Sequence, residues 1–262
     1  MVYIGSAGWN IPRLHRERFA SDGSQLQRYA SRLHAAEINS SFYRPHSVAT
    51  YERWAASVPS SFRFAVKIPK LITHDRALGR ARDPLTRFLG EIAGLGSTLG
   101  PLLVQLPPSF AFEPRRVGRF FNLLRSLHEG PVVCEPRHVT WTSLSAARVL
   151  ESFKVARVAA DPPRAAGLAA PGAWSGLVYY RWHGSPRPYF SPYDAAALDH
   201  LAAAIRALSV DAWCIFDNTG SGSAAGNALD LTSRLGPGVD AAPTAVSSPA
   251  RPPRRPARRT PA

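Results

Sequence analysis

Near the ends of several short apolar runs stand side chains that together could do acid/base chemistry on a polar anion. Carboxylates stand at Glu37, Glu135 and Asp217, imidazoles at His74, His138 and His183, and cations at Lys67, Arg137 and Arg181. Amides follow at Asn39, Gln105 and Asn218. A carboxylate can take a proton, an imidazole can pass one near neutral pH, and a guanidinium can grip a phosphate or carboxylate with two hydrogen bonds. Glu37 or Glu135 is the expected general base. His183 or His138 is the expected acid or proton shuttle, and Asp217 is a further carboxylate of the catalytic set. Lys67, Arg137 and Arg181 would hold the anionic group, with His74, Asn39, Gln105 and Asn218 completing the binding set. Trp9, Phe42, Tyr43, Trp141 and Trp182 could supply stacking surface for a sugar or base, although aromatics at strand ends more often belong to a core. The competing expectation is a structural network, with Glu37 or Glu135 paired to Lys67, Arg137 or Arg181.

These groups need elements to bring them together, and the chain supplies them in a regular order. Strand-like runs are read at 2–5, 36–39, 62–68, 101–106, 131–135, 155–161, 177–183 and 212–217. Between them lie amphipathic stretches. Leu26, Tyr29, Ala30 and Leu33 fall at helical spacing. Ser47 caps a helix with Val48, Tyr51, Ala55 and Val58 on one face, and Asp83 with Pro84 opens one over 84–95. Further helices are read at 114–127, 141–153 and 227–235. Ser191, Pro192 and Asp194 begin another, which buries Leu198, Leu201, Ile205 and Leu208. Residues 162–175, rich in Pro, Ala and Gly, show no clear helix.

Eight strands alternating with about seven helices predict an α/β fold with parallel strands. A doubly wound sheet would also fit, but a single-domain TIM-like (β/α)8 barrel over 1–235 matches the count and length better. Side chains alternate along a strand, so Glu37 and Asn39 share a face, as do Arg181 and His183. If that face lines the barrel interior, the polar groups meet at the C-terminal mouth, where barrel enzymes place their active sites.

Composition narrows the function classes. The chain has 262 residues, a formal charge of +14 and 45% hydrophobic residues, which excludes a wholly disordered protein. No apolar run approaches the ~18 residues of a membrane span, and residues 1–5 carry no signal-peptide pattern. Two cysteines, Cys134 and Cys214, cannot form a disulfide framework, so a cytoplasmic setting is expected. Both read as small buried hydrophobes rather than nucleophiles. The segment 236–262 carries five arginines and one acid, a net +4, and reads as a disordered basic Pro/Arg-rich tail. The body keeps +10, which admits a nucleic-acid partner, and a groove of Arg13, Arg16, Arg44, Arg76, Arg80, Arg82 and Arg187 around the mouth would favour one. There is no His-x-His or His-Glu-x-x-His spacing, but converging carboxylates and imidazoles leave a divalent metal open as a cofactor. Gly5-Ser6-Ala7-Gly8 reads as a short turn that could present amides to an anion.

The motifs also resemble a known family. Gly5-Ser6-Ala7-Gly8-Trp9, Glu37-Ile38-Asn39-Ser40-Ser41-Phe42-Tyr43-Arg44 and Phe64-Ala65-Val66-Lys67 begin the series. Thr73-His74, Gln105-Leu106-Pro107-Pro108-Ser109-Phe110, Glu135-Pro136-Arg137-His138, Trp141, Arg181-Trp182-His183-Gly184, Asp217-Asn218-Thr219 and Gly226-Asn227-Ala228 continue it. In that order they resemble the domain-of-unknown-function 72, or YecE-like, family from about residue 2 to 235. Pro136 stands where the family often has an aromatic, and Asp217 where it often has Asn. The resemblance implies a TIM-like barrel and leaves the activity open. Two readings stand. One is an enzyme, a hydrolase, lyase or isomerase, acting on an anionic or sugar-like small molecule at the mouth. The other is a nucleic-acid-binding or processing protein, endonuclease IV-like by analogy of fold.

Overall fold

The structure, a computed structural model, describes residues 1–236. Strands run β1 Val2–Ala7, β2 Ala35–Ile38, β3 Arg63–Lys67, β4 Leu99–Gln105 and β5 Val132–Glu135. They continue as β6 Val155–Arg157, β7 Ala159–Asp161, β8 Gly172–Ala173, β9 Leu177–Trp182 and β10 Asp211–Phe216. The helices are α1 Gln25–Ala30, α2 Ser40–Tyr43, α3 Val48–Ala56 and α4 Arg82–Ile92. After them come α5 Pro114–Leu127, α6 Leu144–Ser152, α7 Ala195–Arg206 and α8 Ser223–Leu235.

All strand pairs are parallel except the two-residue β8, which lies antiparallel to β6. The order β9-β10-β1-β2-β3-β4-β5 needs one more strand to close, and the run 155–161 supplies it. Its first half, β6, pairs with β5, and its second half, β7, pairs with β9. The circle is completed where the chain passes through Val158 from one partner to the other. Eight barrel positions result, as the alternation predicts. The sixth crossover has no full helix, only a 3-10 turn at Ala166–Leu168 and β8, in keeping with the Pro- and Gly-rich sequence there.

Two apolar clusters divide the core. Between strands and helices lies the larger one, with Tyr29, Tyr51, Phe62, Phe88, Phe120, Phe121 and Leu150. Inside the barrel lies a smaller one built almost wholly from strand residues, among them Tyr3, Ala35, Ala65, Leu103, Val133, Tyr179 and Trp213. Period-two alternation separates the two sets, and Cys134 and Cys214 fall with the helix-facing set, as expected. Their thiols are pushed up by burial, so neither is a ready nucleophile.

Local expectations hold in part. Ser47 caps α3 by accepting from the Thr50 amide. The helix expected over 84–95 begins two residues earlier, with Ala81 as its cap and Asp83 in its first turn. The cap of α7 is Asp194, which accepts from the Ala197 amide, so Ser191 and Pro192 belong to the loop before it. Gly5-Ser6-Ala7 is no turn. It is the end of β1, its backbone committed to ladders with β10 and β2, and the chain turns only at Gly8, where φ is +79°. The tail expected at 236–262 lies, but for Gly236, outside the described residues.

Candidate functional site

Above the apolar layer inside the barrel, the next inward positions carry charge. Glu37 follows Ala35 on β2, and Lys67 follows Ala65 on β3. Gln105 follows Leu103 on β4, Glu135 follows Val133 on β5, and Arg181 follows Tyr179 on β9. His183 and Asp217 lie just beyond the ends of β9 and β10. All seven are buried, and they meet at the C-terminal end of the barrel.

Arg181 occupies the centre. Its side chain is 0% exposed. Nε donates to both Glu37 oxygens at 3.1 and 3.0 Å, and Nη2 donates to Glu37 Oε1 at 2.7 Å. Nη1 reaches Glu135 Oε2 at 2.9 Å, and Nη2 lies 3.0 Å from Asp217 Oδ2. Tyr179 adds a bond to Glu37 Oε2 at 2.8 Å. Glu37 is therefore enclosed and spent on Arg181 and Tyr179. It positions the guanidinium, and does not reach the opening as the expected general base would.

Of this charged set, Glu135 and His183 border the opening. Glu135 accepts from Gln105 Nε2 at 3.1 and 3.2 Å and from Arg137 Nε at 3.0 Å. His183 stands between two carboxylates, with Nδ1 3.0 Å from Asp217 Oδ2 and Nε2 3.2 Å from Glu135 Oε1. An ionised carboxylate only accepts, so this geometry favours a ring that donates from both nitrogens, the imidazolium form. Burial opposes that charge, but Glu135 and Asp217 outweigh it and raise the His183 pKa. Burial likewise opposes the two acids, yet Arg181, with Arg137 and His183, holds Glu135 well below the carboxylate range, and Arg181 with His183 lowers Asp217. Gly184 (φ +101°) turns the chain directly after His183, and a Cβ there would meet the Ser191 carbonyl oxygen at 2.8 Å.

A cavity of about 70 Å³ opens on this layer. Glu135, Arg137 and His183 face it, and Pro162, Arg164, Leu168 and Tyr189 are among its walls. Arg137 keeps 14% of its side chain exposed and is the most accessible cation of the layer.

Lys67 sits apart in its bonding. Its ammonium lies 4.0 Å from the centre of the Phe42 ring. His74 packs edge-on against the same ring and has its pKa lowered by burial and by Lys67.

Other expected residues go elsewhere. Trp141 is fully buried between Phe110 and Phe112, its indole N–H given to the Phe110 carbonyl at 3.0 Å, so it is core and presents no stacking face. Trp9 packs on Trp54 and Phe64, towards the helix layer. Trp182 packs on Tyr193 and Phe216, and Tyr43 is exposed beside Phe42 on α2. His138 caps the turn Val139–Thr142 by accepting from the Thr140 amide, so it is a turn-former rather than a partner of Glu135. Asn218 donates to Ser191 and Asn227 and ties the last loops together. Asn39 is half-buried with its Oδ1 unbonded. Four site residues escaped the sequence reading. Tyr179 could have been found, since it lies two residues before Arg181 on the same face. Arg164 and Tyr189 come from loops with no period, and Tyr193, which bonds Asp161 and the Gly184 amide, lies at the loop end before α7.

The metal option meets a physical obstacle. Among the described residues no three His, Cys, Asp or Glu side chains converge as metal ligands, because the Arg181 guanidinium occupies the space between the carboxylates. The expected ring of arginines is also only partly assembled. Arg76, Arg80 and Arg82 share a groove of about 750 Å³ with Arg116 and Arg119. Arg44 lines a different hollow of about 380 Å³, and Arg187 lies over the Phe190 ring. Among the described residues no helix is long and apolar enough to cross a membrane.

Comparison with known proteins agrees with this architecture. A family model described as "Protein of unknown function DUF72" matches residues 3–253. The UPF0759 protein YecE of Escherichia coli K12 is 32% identical over 127 residues, 48% of this chain and 44% of that protein. The UPF0759 protein YunF of Bacillus subtilis 168 is 26% identical over 155 residues, 55% of this chain and 53% of that one. The match thus spans about half the length of these curated relatives. Among solved structures, a DUF72 family protein from Thermotoga maritima MSB8 superposes with a TM-score of 0.74 at 25% identity, covering 90% of this chain and 99% of that one. One from Enterococcus faecalis V583 gives 0.76 at 21%, covering 90% and 95%.

Proposed function

The chain belongs to the DUF72 family, whose activity is unassigned, and from the geometry of its barrel mouth we propose that it is an acid/base enzyme acting on a small anionic, sugar-like substrate. The observation that carries this reading is the His183 ring, held between Asp217 and Glu135 on the wall of a cavity that opens on the charged layer. In this reading the anionic group of the substrate meets Arg137, with Arg164 also lining the cavity. His183 donates a proton at Nε2, and Asp217 keeps the ring oriented and charged, as an orienting acid does for a catalytic imidazole. Glu135, relieved of its bond to Nε2, is the carboxylate positioned to take a proton back. Glu37 and Arg181 lie beneath as the support that fixes both acids. A hydrolase, lyase or isomerase fits this equipment.

The test needs no knowledge of the product. Aldose and ketose phosphates are incubated with the protein in D2O, and proton NMR follows deuterium uptake at carbon and release of inorganic phosphate. Wild-type protein is expected to exchange or hydrolyse at least one of them, and His183→Asn is expected to lose that activity while remaining folded by circular dichroism. Turnover that survives His183→Asn refutes the role given to the ring.

A second reading, binding of nucleic acid, is favoured by the groove of five arginines between the start of α4 and the start of α5. Phosphate contacts there would make binding fall steeply with salt. An Arg80→Ala/Arg119→Ala variant is expected to reduce both affinity and salt slope for a single-stranded oligonucleotide. Binding unchanged by those substitutions removes the groove as its site.

A further inference from the structure

Lys67 is a buried lysine in a chain that hardly uses lysine. Of its 32 basic residues 29 are Arg, and the two other lysines, Lys70 and Lys154, are exposed. Wherever this sequence needs only positive charge at the site, at Arg137 and Arg181, it uses a guanidinium. A guanidinium keeps its proton at every accessible pH, whereas an amine can lose one when desolvated.

The surroundings of Lys67 favour that loss. All three carboxylates of the layer are engaged: Glu37 by Arg181 and Tyr179, Glu135 by Arg181, Arg137, Gln105 and His183, and Asp217 by Arg181 and His183. Arg181, Arg137 and His183 already face those three carboxylates, so Lys67 is left without an acid of its own. Among the described residues no carboxylate oxygen lies within 4 Å of Nζ. The Phe42 face at 4.0 Å attracts an ammonium only weakly compared with the water it displaces. Burial and the Arg181 charge accordingly press the amine down to about 8, against the weaker pull of the acids.

We propose that Lys67 is a nucleophilic amine that forms an imine with the carbonyl carbon of an aldehyde or ketone substrate at the barrel mouth. This rests on reading the mouth as an acid/base site and names its substrate class. A desolvated lysine next to another cation is a recognised way of activating this nucleophile. The Nζ lone pair forms the C–N bond while the carbonyl π pair moves to oxygen. That oxygen collects the proton given up by nitrogen and a second one from the acid of the site, and leaves as water. Amine, carbonyl and one proton become a protonated imine and water, with nothing oxidised or reduced. The charge gained is then offset by the substrate's own anionic group.

Two measurements on the intact wild-type chain test this, with Lys70 and Lys154 as internal controls. The first is reductive methylation by formaldehyde and cyanoborohydride at pH 7.5, mapped by peptide mass spectrometry. At that pH about a quarter of Lys67 is neutral against about 0.1% of an ordinary lysine, roughly a 200-fold advantage. After allowance for burial, labelling at least about 10-fold faster than at the two exposed lysines is expected. The second is borohydride trapping with dihydroxyacetone phosphate, glyceraldehyde 3-phosphate and pyruvate. An adduct confined to Lys67 and absent from Lys67→Arg supports the proposal. Labelling slower than at Lys70 and Lys154 overturns it, as does the lack of any trapped adduct. Deuterium exchange without an adduct sinks the Lys67 role and leaves the acid/base reading standing. An adduct on Lys67 without exchange supports the amine and counts against that reading.

Discussion

Replacing Arg181 by Met is the sharpest probe of how the mouth is supported. Methionine fills much of the same length without charge, so the main loss is the guanidinium that now serves Glu37, Glu135 and Asp217 at 2.7 to 3.1 Å. Removing one partner of a buried ion pair costs about 3–5 kcal/mol, because the other charge is left buried. Here three carboxylates are left, with Arg137 and His183 still holding Glu135 and His183 holding Asp217, so a loss of about 4 kcal/mol at pH 7 is the reasoned figure. The pH dependence makes the test specific. In the wild type Glu135 and Asp217 are held low, so their stabilisation is present above the ordinary carboxylate range and is lost as pH falls through their folded values. In the variant, burial raises the deserted carboxylates. The native state then binds more protons than the unfolded one from about pH 4 upward, and stability falls with rising pH by up to about 1.4 kcal/mol per unit for each raised group. The stability gap between variant and wild type should therefore widen from pH 5 to pH 8. Urea unfolding at pH 5, 6, 7 and 8 measures it. A gap below about 1 kcal/mol, or one constant across that range, would mean that Arg181 does not hold the acids in the way described.

Three further outcomes are expected. Asp217→Asn should bring the His183 pKa down towards the ordinary value of about 6.5, followed by NMR titration of the ring. In the wild type that raised pKa gives stability fully present below about pH 6.5 and lost as pH rises through the folded value, so the variant, which keeps Glu135, should show a smaller loss; an unmoved titration contradicts the dyad. Trp141→Ala should cost about 3–5 kcal/mol in urea while leaving mouth chemistry per folded molecule unchanged, and a nearly neutral effect on stability would contradict its core placement. Gly5→Ala should fail to fold or lose several kcal/mol, since its Cβ would stand 1.9 Å from the Ala35 carbonyl oxygen on the neighbouring strand; a variant melting like the wild type speaks against that β1–β2 approach.

Much of the barrel was legible because its signals are local. Tyr29, Leu33, Tyr51, Phe120 and Phe121 fall at helical spacing, and strand runs end in polar residues wherever they approach the mouth. Other features were not legible. His138 looks like a catalytic imidazole beside Glu135 and Arg137, yet three successive residues of a turn point different ways, and its ring went to the backbone of that turn. Trp141 looks like a stacking residue until Phe110 and Phe112, about 30 residues away in the chain, close over it. Arg164 and Tyr189 reach the cavity from loops, where no periodic pattern says which side chain faces in.

By itself the sequence determined which residues share the interior. Strand alternation has a period of two, so Glu37, Lys67, Gln105, Glu135, Arg181 and, just past a strand end, His183 were bound to face the same way once the strands were recognised. Only the tertiary structure decided their depth and their partners. Glu37 and Arg181 are 144 residues apart and Glu135 and Arg181 are 46 apart, so their meeting depends on strand register around the closed barrel. That register divided one row of polar strand ends into a deep support at Glu37 and Arg181, a set at Glu135 and His183 that borders the cavity, and a single amine with no carboxylate of its own. The physical reason is that a side chain's direction is a property of its own backbone, while the charge that faces it is set by every strand in the ring.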